Sequence, residues 1–251
     1  MGKEADRLVP GGHCRRRGGT GDRILRVMVR GDRASLIVSR HRTGSTEVLM
    51  VFRSLGVKRP KISPELAGRV PPGQYATERW PVLHHGSVPA FDRTRWDLRV
   101  FGLVEAPLRF TWDEFLALPR VQVRADMHCV TRWSTLDNTW EGVAAREILT
   151  RAGVRPEARF VVFHADEDYT ANIPLAAFDD DDVVLAIKRN GEELTPEHGY
   201  PMRAVVPKRY AWKGAKWLRG IEFLAEDKLG FWENYGYNNS ADPWREERFA
   251  E

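Results

Sequence analysis

The sequence contains few cysteines and lacks long apolar runs. Its 251 residues include two cysteines, Cys14 and Cys129, which are too few for a disulfide framework, so any role for them is that of free thiols. No stretch approaches the roughly 18 uninterrupted apolar residues of a membrane span. The basic cluster at residues 15–17 is not followed by the apolar segment that an export signal requires. These absences favour a cytoplasmic location.

Tryptophan is absent from the first 79 residues, and all nine tryptophans lie between Trp80 and Trp244. Residues 1–60 carry a net charge of +9, whereas the remainder carries −5. Because aromatic side chains dominate core burial, we predict a partly disordered basic N-terminal extension over residues 1–60 and a single compact domain over residues 61–251.

Within the extension, residues 1–22 mix glycine with arginine and are typical of a disordered arm. Short strands are predicted at 24–29, 34–38 and 47–52. A basic arm can bind nucleic acid through phosphates. This arm has no aromatic side chains and no recognised motif, which favours a solvated tail, or upstream sequence translated from a misplaced start, over nucleic-acid binding.

The body of the chain contains more predicted strands than helices. Residues 111–118 predict a helix with Thr111 as N-cap and Pro119 after its end, and residues 144–152 predict a second helix that ends at Gly153. Strands and helices do not alternate regularly, so we expect an α+β fold. The predicted strands span residues 96–104, 121–127, 160–164, 183–187, 204–206 and 221–224.

The segment Met127–Ser134 places Cys129 beside His128, with Arg132 and Trp133 nearby. Nearby cations lower the pKa of a thiol, and a thiolate is both a nucleophile and a soft metal ligand. A lone cysteine after a strand is also frequently just a small buried hydrophobe.

Two further segments, residues 198–203 and 210–217, combine turns with basic side chains. Arg203 is expected to project from the start of a strand, and Lys213 and Lys216 flank Gly214, where a backbone amide can approach an anion closely. Taken separately, each segment also fits an ordinary turn or a solvated basic loop.

In this order and spacing, the segments resemble the oxidoreductase molybdopterin-binding family, which includes sulfite oxidases, assimilatory nitrate reductases and bacterial methionine-sulfoxide reductases. The similarity runs from about Pro71 to Trp217 and takes in H-C-x-x-R-W, Trp140-x-Gly-Val143, Asp168-Tyr169, H-G-x-P-x-R and K-G-x-K-W. The tail, residues 230–244, resembles the small cytoplasmic sulfite oxidase-like subgroup. The resemblance implies the sulfite-oxidase-type fold of mixed β-sheets with short helices.

The resemblance also implies a cofactor, molybdenum bound to a single molybdopterin. By position, Cys129 would ligate the metal, Arg132 would bind an anionic substrate, and Tyr237 would lie near the metal. Arginine supplies fork-like hydrogen bonds to phosphate oxygens. The positions that would hold the pterin and its phosphate are His84, His85, His164, His198, Arg203, Gly214, Ala215 and Lys216.

Other matched residues are expected to be architectural: Trp140 and Trp217 in the core, and Asp168-Tyr169 in a turn. The acidic run Asp179–Asp182 is expected to form a solvated face that binds no metal.

The implied function is oxygen-atom transfer on a small oxo substrate, sulfite-like or sulfoxide-like. The sequence lacks C-x-x-C-H and other haem signatures, so electrons would be exchanged with a separate partner. Two alternatives remain. One is a non-enzymatic scaffold whose basic arm binds nucleic acid. The other is thiol catalysis by Cys129 with His128 as base, which is disfavoured because adjacent strand residues point to opposite faces.

Overall fold

The computed structural model describes residues 64–250 together with two short strands, β1 (Leu25–Val27) and β2 (Leu36–Val38). These two strands pair antiparallel, which confirms the strands predicted at 24–29 and 34–38. The arm at 1–22 and the strand at 47–52 lie outside the described residues, so both stay predictions, as does the domain boundary near residue 60.

Eleven further strands form the body of the described chain. They are β3 (Tyr75–Ala76), β4 (Asp97–Gly102), β5 (Leu108–Thr111), β6 (Val121–His128), β7 (Trp133–Ala144), β8 (Phe160–Ala165), β9 (Thr170–Pro174), β10 (Val184–Arg189), β11 (Glu192–Glu193), β12 (Arg203–Val205) and β13 (Leu218–Leu224).

These strands form two mixed sheets. In the six-stranded sheet, β7 pairs antiparallel with β6 and β10 and parallel with β3, while β11 and β12 both pair with β10. The five-stranded sheet has the order β5-β4-β13-β8-β9, and its β4–β13 pair is parallel. The predicted α+β class with mixed sheets is confirmed.

The three α-helices of the described residues are short: α1 (Trp112–Leu116), α2 (Ala145–Ala152) and α3 (Leu175–Phe178). Helix α1 begins with a capping box in which Thr111 and Glu114 each bond the other's backbone amide, which stabilises the first turn. Helix α2 ends at Gly153, whose φ of 59° is left-handed. Both helices were predicted, whereas α3 was not.

Strand β7 was not predicted as a strand, although it is the longest. Its pattern is irregular because polar side chains such as Ser134 and Asn138 are fully buried within it. Gly142 lies where β7 meets β10, and a Cβ atom there would stand 2.0 Å from the carbonyl oxygen of Leu185. Only glycine fits this close approach of two backbones.

The apolar side chains form two clusters on opposite faces of the six-stranded sheet. Leu185 of β10 packs into the larger cluster, which also holds Val100 and Ile221 of the second sheet and therefore lies between the sheets. Its neighbour Val184 packs into the second cluster, which contains Cys129. The alternation of side chains along β10 thus separates the main core from the cluster that holds the thiol.

No helix among the described residues is long and apolar enough to cross a membrane. The acidic run after α3 is ion-paired: Asp179 and Asp181 pair with Arg146, and Asp180 and Asp182 pair with Lys208.

Candidate active site

A cavity of about 120 Å³ lies beside the second apolar cluster. Four stretches of the chain contribute to its lining, within residues 80–85, 127–133, 211–217 and 232–237, together with Tyr169 and Arg203. The folding of distant segments around this space brings together seven of the predicted site residues: Cys129, Tyr237, His84, His85, Arg203, Gly214 and Lys216.

Cys129 follows directly after β6 and opens a tight turn. Its backbone amide donates to the carbonyl of Trp133, and its own carbonyl accepts from the amide of Arg132, both at 2.9 Å. The side chain is buried, and its Sγ accepts a hydrogen bond from the Thr131 hydroxyl at 3.2 Å. Burial raises the pKa of this thiol, while Thr131 and the charge of Lys216 act in the opposite direction.

Arg203 is a fully buried cation at the start of β12. Its guanidinium donates to the backbone carbonyls of His198 at 3.3 Å and Gly214 at 3.2 Å. Burial lowers the pKa of Arg203 to about 10, because the charged form loses its hydration.

Lys216 is the second buried cation of the cavity. Its Nζ donates to the carbonyls of Leu83 at 2.7 Å and Glu197 at 2.6 Å. Burial, followed by the charge of Arg203, lowers the pKa of Lys216 to about 7, and Cys129 and Glu197 have smaller effects in the opposite direction.

Neither cation forms an ion pair with a carboxylate of the described residues. Lys216 and Arg203 are satisfied by backbone carbonyls, which supply hydrogen bonds but no countercharge. Taking cations out of water costs free energy unless an opposite charge compensates. The cavity therefore suits an anionic group, and the nearby thiol adds a soft ligand for a metal.

His84 and His85 line the cavity from a loop that turns at Gly86. His84 donates from Nδ1 to the carbonyl of Gly86 at 3.1 Å, and its ring meets Trp217 edge-on. The His85 ring packs on Phe231, with centroids 4.2 Å apart. Burial lowers the pKa of both histidines, so both favour the neutral form.

Tyr237 reaches the cavity from the C-terminal part of the chain. Its ring packs against Trp212 and Trp232, with centroids 5.0 and 4.9 Å away. Burial, and then the nearby Cys129, raise the pKa of this phenol well above its usual value, so the neutral hydroxyl is strongly favoured.

His198 acts from behind the cavity wall, because its side chain is not among the lining residues. Its Nε2 donates to the carbonyl of Trp80 at 3.1 Å, and its Nδ1 is 2.9 Å from the Thr195 hydroxyl. The ring stacks on Trp80, with centroids 3.8 Å apart. Both nitrogens are therefore occupied by protein, and the ring holds Trp80 against the cavity.

In residues 210–217, the backbone amide of Gly214 was expected to be available to an anion, but the structure uses it within the protein. The amide of Gly214 donates to the carbonyl of Ala211, and a Cβ at Gly214 would stand 2.5 Å from the carbonyl oxygen of Ala204. The glycine is thus required by packing against β12. Ala215 is buried, and its carbonyl accepts from the amide of Ala204.

Lys213 contradicts the interpretation of this segment as a solvated basic loop. Its side chain is fully buried and forms an ion pair with Glu233. It therefore serves the packing beneath the cavity, and Lys216 is the lysine that reaches the lining.

Besides His198 and Ala215, two further predicted site residues do not line the cavity. Arg132 has a left-handed φ of 77°, and its side chain extends toward the carbonyl of Gly73 and the carboxylate of Glu246. His164 lies on β8, where its Nε2 is 2.9 Å from a carboxylate oxygen of Glu222. His164 was placed by its distance from Cys129 along the chain, which does not determine the direction of a side chain.

Several lining residues were missed or assigned to the core. Trp140 is core as expected, whereas Trp217 is buried and also lines the cavity. Tyr169 lines it too, and its hydroxyl donates to the carbonyl of Trp212. Thr131 was overlooked, although threonine side chains in turns commonly bond groups of neighbouring residues.

His128 does not serve as a base for Cys129 in this arrangement. Its Nδ1 is 2.9 Å from the Ser134 hydroxyl, its ring meets Trp244 edge-on, and it is not among the lining residues. Burial lowers the pKa of His128 to about 4.

Comparison with protein families identifies the class of this site. Residues 85–232 match the oxidoreductase molybdopterin binding domain, and the matched range contains Cys129, Arg203 and Lys216. The chain belongs to this family. It is a molybdopterin-dependent oxidoreductase, and its cofactor is the molybdenum–molybdopterin group.

Individual relatives agree with this assignment. The chain is 50% identical to the uncharacterized oxidoreductase YuiH of Bacillus subtilis over 73% of this chain and 93% of that protein. It is 30% identical to YedZ1 of Azospira oryzae, a putative protein-methionine-sulfoxide reductase subunit, over 59% of this chain and 56% of that one. It is 31% identical to nitrate reductase [NADH] 1 of rice, Oryza sativa, over 56% of this chain and 19% of the relative.

A solved structure shares the fold. The sulfane dehydrogenase SoxCD of Paracoccus pantotrophus superimposes with a TM-score of 0.54 at 28% identity, over 58% of this chain and 42% of the SoxCD chain. The sulfite-oxidase-type fold implied by the sequence motifs is therefore confirmed.

Proposed function

We propose that the protein catalyses oxygen-atom transfer between molybdenum and a small oxo substrate, and exchanges electrons with a separate partner protein. One observation carries the proposal. The Cys129 thiol faces a cavity that also contains two buried cations, Arg203 and Lys216, and neither pairs with a carboxylate of the described residues. A sulfur-ligated metal joined to an anionic pterin phosphate supplies both the charge and the ligand that this cavity lacks.

We assign roles from this geometry. Cys129 ligates the metal as a thiolate, and Arg203 and Lys216 hold the phosphate through charge-assisted hydrogen bonds. His84 and His85 contact the pterin from the opposite loop. When bound, the molybdenum supplies a two-electron change of oxidation state coupled to the gain or loss of an oxo group.

Tyr237, and the backbone around Gly214 and Ala215, complete this assignment. Tyr237 lines the cavity with a neutral hydroxyl, which can donate a hydrogen bond to an oxygen of the substrate. Gly214 and Ala215 support the wall through their packing on β12. His198 holds Trp80, and we assign it no contact with the cofactor.

The charges around the cavity bear on the class of substrate. Arg132, expected to bind an oxyanion, extends away from the cavity toward Glu246. With Arg203 and Lys216 assigned to the phosphate, the described part of the lining offers no further arginine or lysine for a substrate anion. A neutral oxo compound such as a sulfoxide therefore fits the site better than sulfite or nitrate. A cytoplasmic location is part of the same proposal and rests on the sequence.

The first test is the molybdenum content of protein purified from a host that makes the cofactor. We expect about one metal per chain in the wild type and in Cys14→Ser, and loss of metal or altered coordination in Cys129→Ser. A wild type without metal or extractable pterin, from a host that loads a control enzyme, would contradict the proposal. Full metal content and activity in Cys129→Ser would refute the ligand assignment.

The substrate is tested with loaded protein and a reduced viologen dye. We expect faster dye oxidation with a dialkyl sulfoxide than with nitrate. In the reverse direction, we expect little reduction of an oxidised dye by sulfite. A rate with sulfite or nitrate above that with the sulfoxide would reverse the assignment while leaving the metal content unaffected.

A further inference from the structure

The sulfur atom of Cys129 has one hydrogen-bond donor among the described side chains, the hydroxyl of Thr131. The two atoms are 3.2 Å apart, and Thr131 itself lines the cavity. Because the hydroxyl donates to sulfur, it withdraws electron density from the atom that we assign as the metal ligand.

The turn that carries Thr131 is held on both sides. The amide nitrogen of Gln74 donates to the carbonyl of Cys129 at 3.0 Å, and the guanidinium of Arg248 donates to the carbonyl of Val130 at 2.7 Å. Arg248 is itself buried and lies over the ring of Tyr210. The backbone on either side of the sulfur contact is thus fixed, so the hydroxyl stays within reach of Sγ.

We propose that Thr131 is a positioning residue that tunes the metal through the Cys129 sulfur. This inference rests on the proposed function, in which Cys129 is the metal ligand. Hydrogen bonds to ligating sulfur raise the reduction potential of a metal centre, because they weaken electron donation from the ligand. Thr131 therefore favours the reduced metal and orients the ligand without touching the reacting atoms.

The test compares Thr131→Val, which keeps the shape but lacks the hydroxyl, with Thr131→Ser, which retains the hydroxyl. The midpoint potentials of the loaded proteins are measured by redox titration followed through the electron paramagnetic resonance of Mo(V), with no substrate present. We expect Thr131→Val to shift the ratio of reduced to oxidised metal by about tenfold toward the oxidised form, equal to about 59 mV for a one-electron couple. Thr131→Ser should restore the wild-type value.

The matched control is Thr135→Val, which removes another buried hydroxyl from the neighbouring strand. The Thr135 hydroxyl bonds the side chain of Asn138 and not the Cys129 sulfur. We expect an unchanged potential in this variant. A shift of equal size in Thr135→Val would show a general packing effect and overturn the proposal.

Two further outcomes would also overturn it. In the first, the hydroxyl has no effect on the midpoint potential: Thr131→Val keeps the wild-type potential, or Thr131→Ser has the same potential as Thr131→Val. In the second, Thr131→Val raises the KM for the substrate while the potential stays the same, which would place Thr131 on the substrate and not on the sulfur.

A metal-free measurement separates this proposal from the assignment of the cofactor. In protein made without cofactor, on a Cys14→Ser background, the infrared S–H stretching band of Cys129 reports the environment of the sulfur. We expect the band to shift in Thr131→Val and not in Thr131→Ser. If the band shifts, but wild-type protein from a host that makes the cofactor contains no molybdenum, the hydrogen bond is established and the proposed function is refuted. An unshifted band would overturn the inference itself.

Discussion

The Nζ of Lys213 lies 2.6 Å from the carboxylate of Glu233, and both side chains are almost completely buried. The same carboxylate oxygen accepts from the indole of Trp212 at 2.8 Å, and Nζ also donates to Asn172 at 3.0 Å. This network joins the floor of the cavity to the C-terminal segment that supplies Trp232. It explains why Lys213, the first lysine of the K-G-x-K motif, does not line the cavity.

Breaking this pair on one side is expected to destabilise the protein. Glu233→Gln leaves the Lys213 ammonium buried without a countercharge, which costs about 3–5 kcal/mol. The free energy of unfolding from urea titration measures the loss. The double variant Lys213→Met/Glu233→Leu should recover much of it, because no charge stays unpaired. If the double variant loses as much free energy of unfolding as Lys213→Met and Glu233→Leu lose together, an unpaired buried charge is not the main cause of the destabilisation.

Lys216, in contrast, is expected to matter more for the cofactor than for the empty fold. Lys216→Met removes a buried cation that no described carboxylate pairs, but it leaves the carbonyls of Leu83 and Glu197 without their donor, so the unloaded protein should lose about 1–3 kcal/mol of stability. Its pterin and molybdenum content should fall well below that of the wild type. The control is Lys188→Met, which removes a partly exposed lysine near Glu141. Normal cofactor content in Lys216→Met would contradict the assigned role.

His198 is expected to make the fold sensitive to mild acid. Burial lowers the pKa of His198 to about 4, against 6.5 in the unfolded chain. Between these values the unfolded state binds the extra proton, so this contribution to stability is complete above pH 6.5 and is lost as the pH falls toward 4. Urea titrations at pH 7.5 and pH 4.5 should show a smaller loss for His198→Gln than for the wild type. Equal losses would exclude His198 as a source.

Gly142 tests the packing of β7 on β10. Gly142→Ala places a methyl group against the carbonyl of Leu185, and we expect a loss of about 3 kcal/mol or failure to fold. Gly68→Ala is the matched control, because a Cβ at Gly68 meets nothing within 4 Å. Alanine there should change the stability by less than about 1 kcal/mol. Thermal unfolding of both variants checks the difference.

The elements that the sequence predicted correctly are those determined by neighbouring residues. Thr111 and Glu114 define the start of α1 because both partners of the capping box lie within four residues. Gly153 ends α2 through its own backbone freedom. Strand β6 was predicted with nearly its observed bounds, and so was the position of Cys129 at its end.

What the sequence did not predict depends on distant partners. The burial of Lys213 requires Glu233, 20 residues further on, and the direction of Arg132 depends on Gly73 and Glu246. Strand β7 was missed because buried Asn138 bonds backbone carbonyls inside the sheet, which disrupts the usual alternation. Motif order identified the family, whereas side-chain orientation required the three-dimensional arrangement.

Trp232 and Tyr237, which close one side of the cavity, are the last of its lining residues to be synthesised. A growing chain can therefore form both sheets and position Cys129 before this side of the cavity exists. The complete pocket, with Glu233 docked on Lys213, is available only after the segment around residues 230–237 has emerged and packed. A chain that ends before Trp232 would therefore lack one side of the cavity, even with both sheets formed and Cys129 in place.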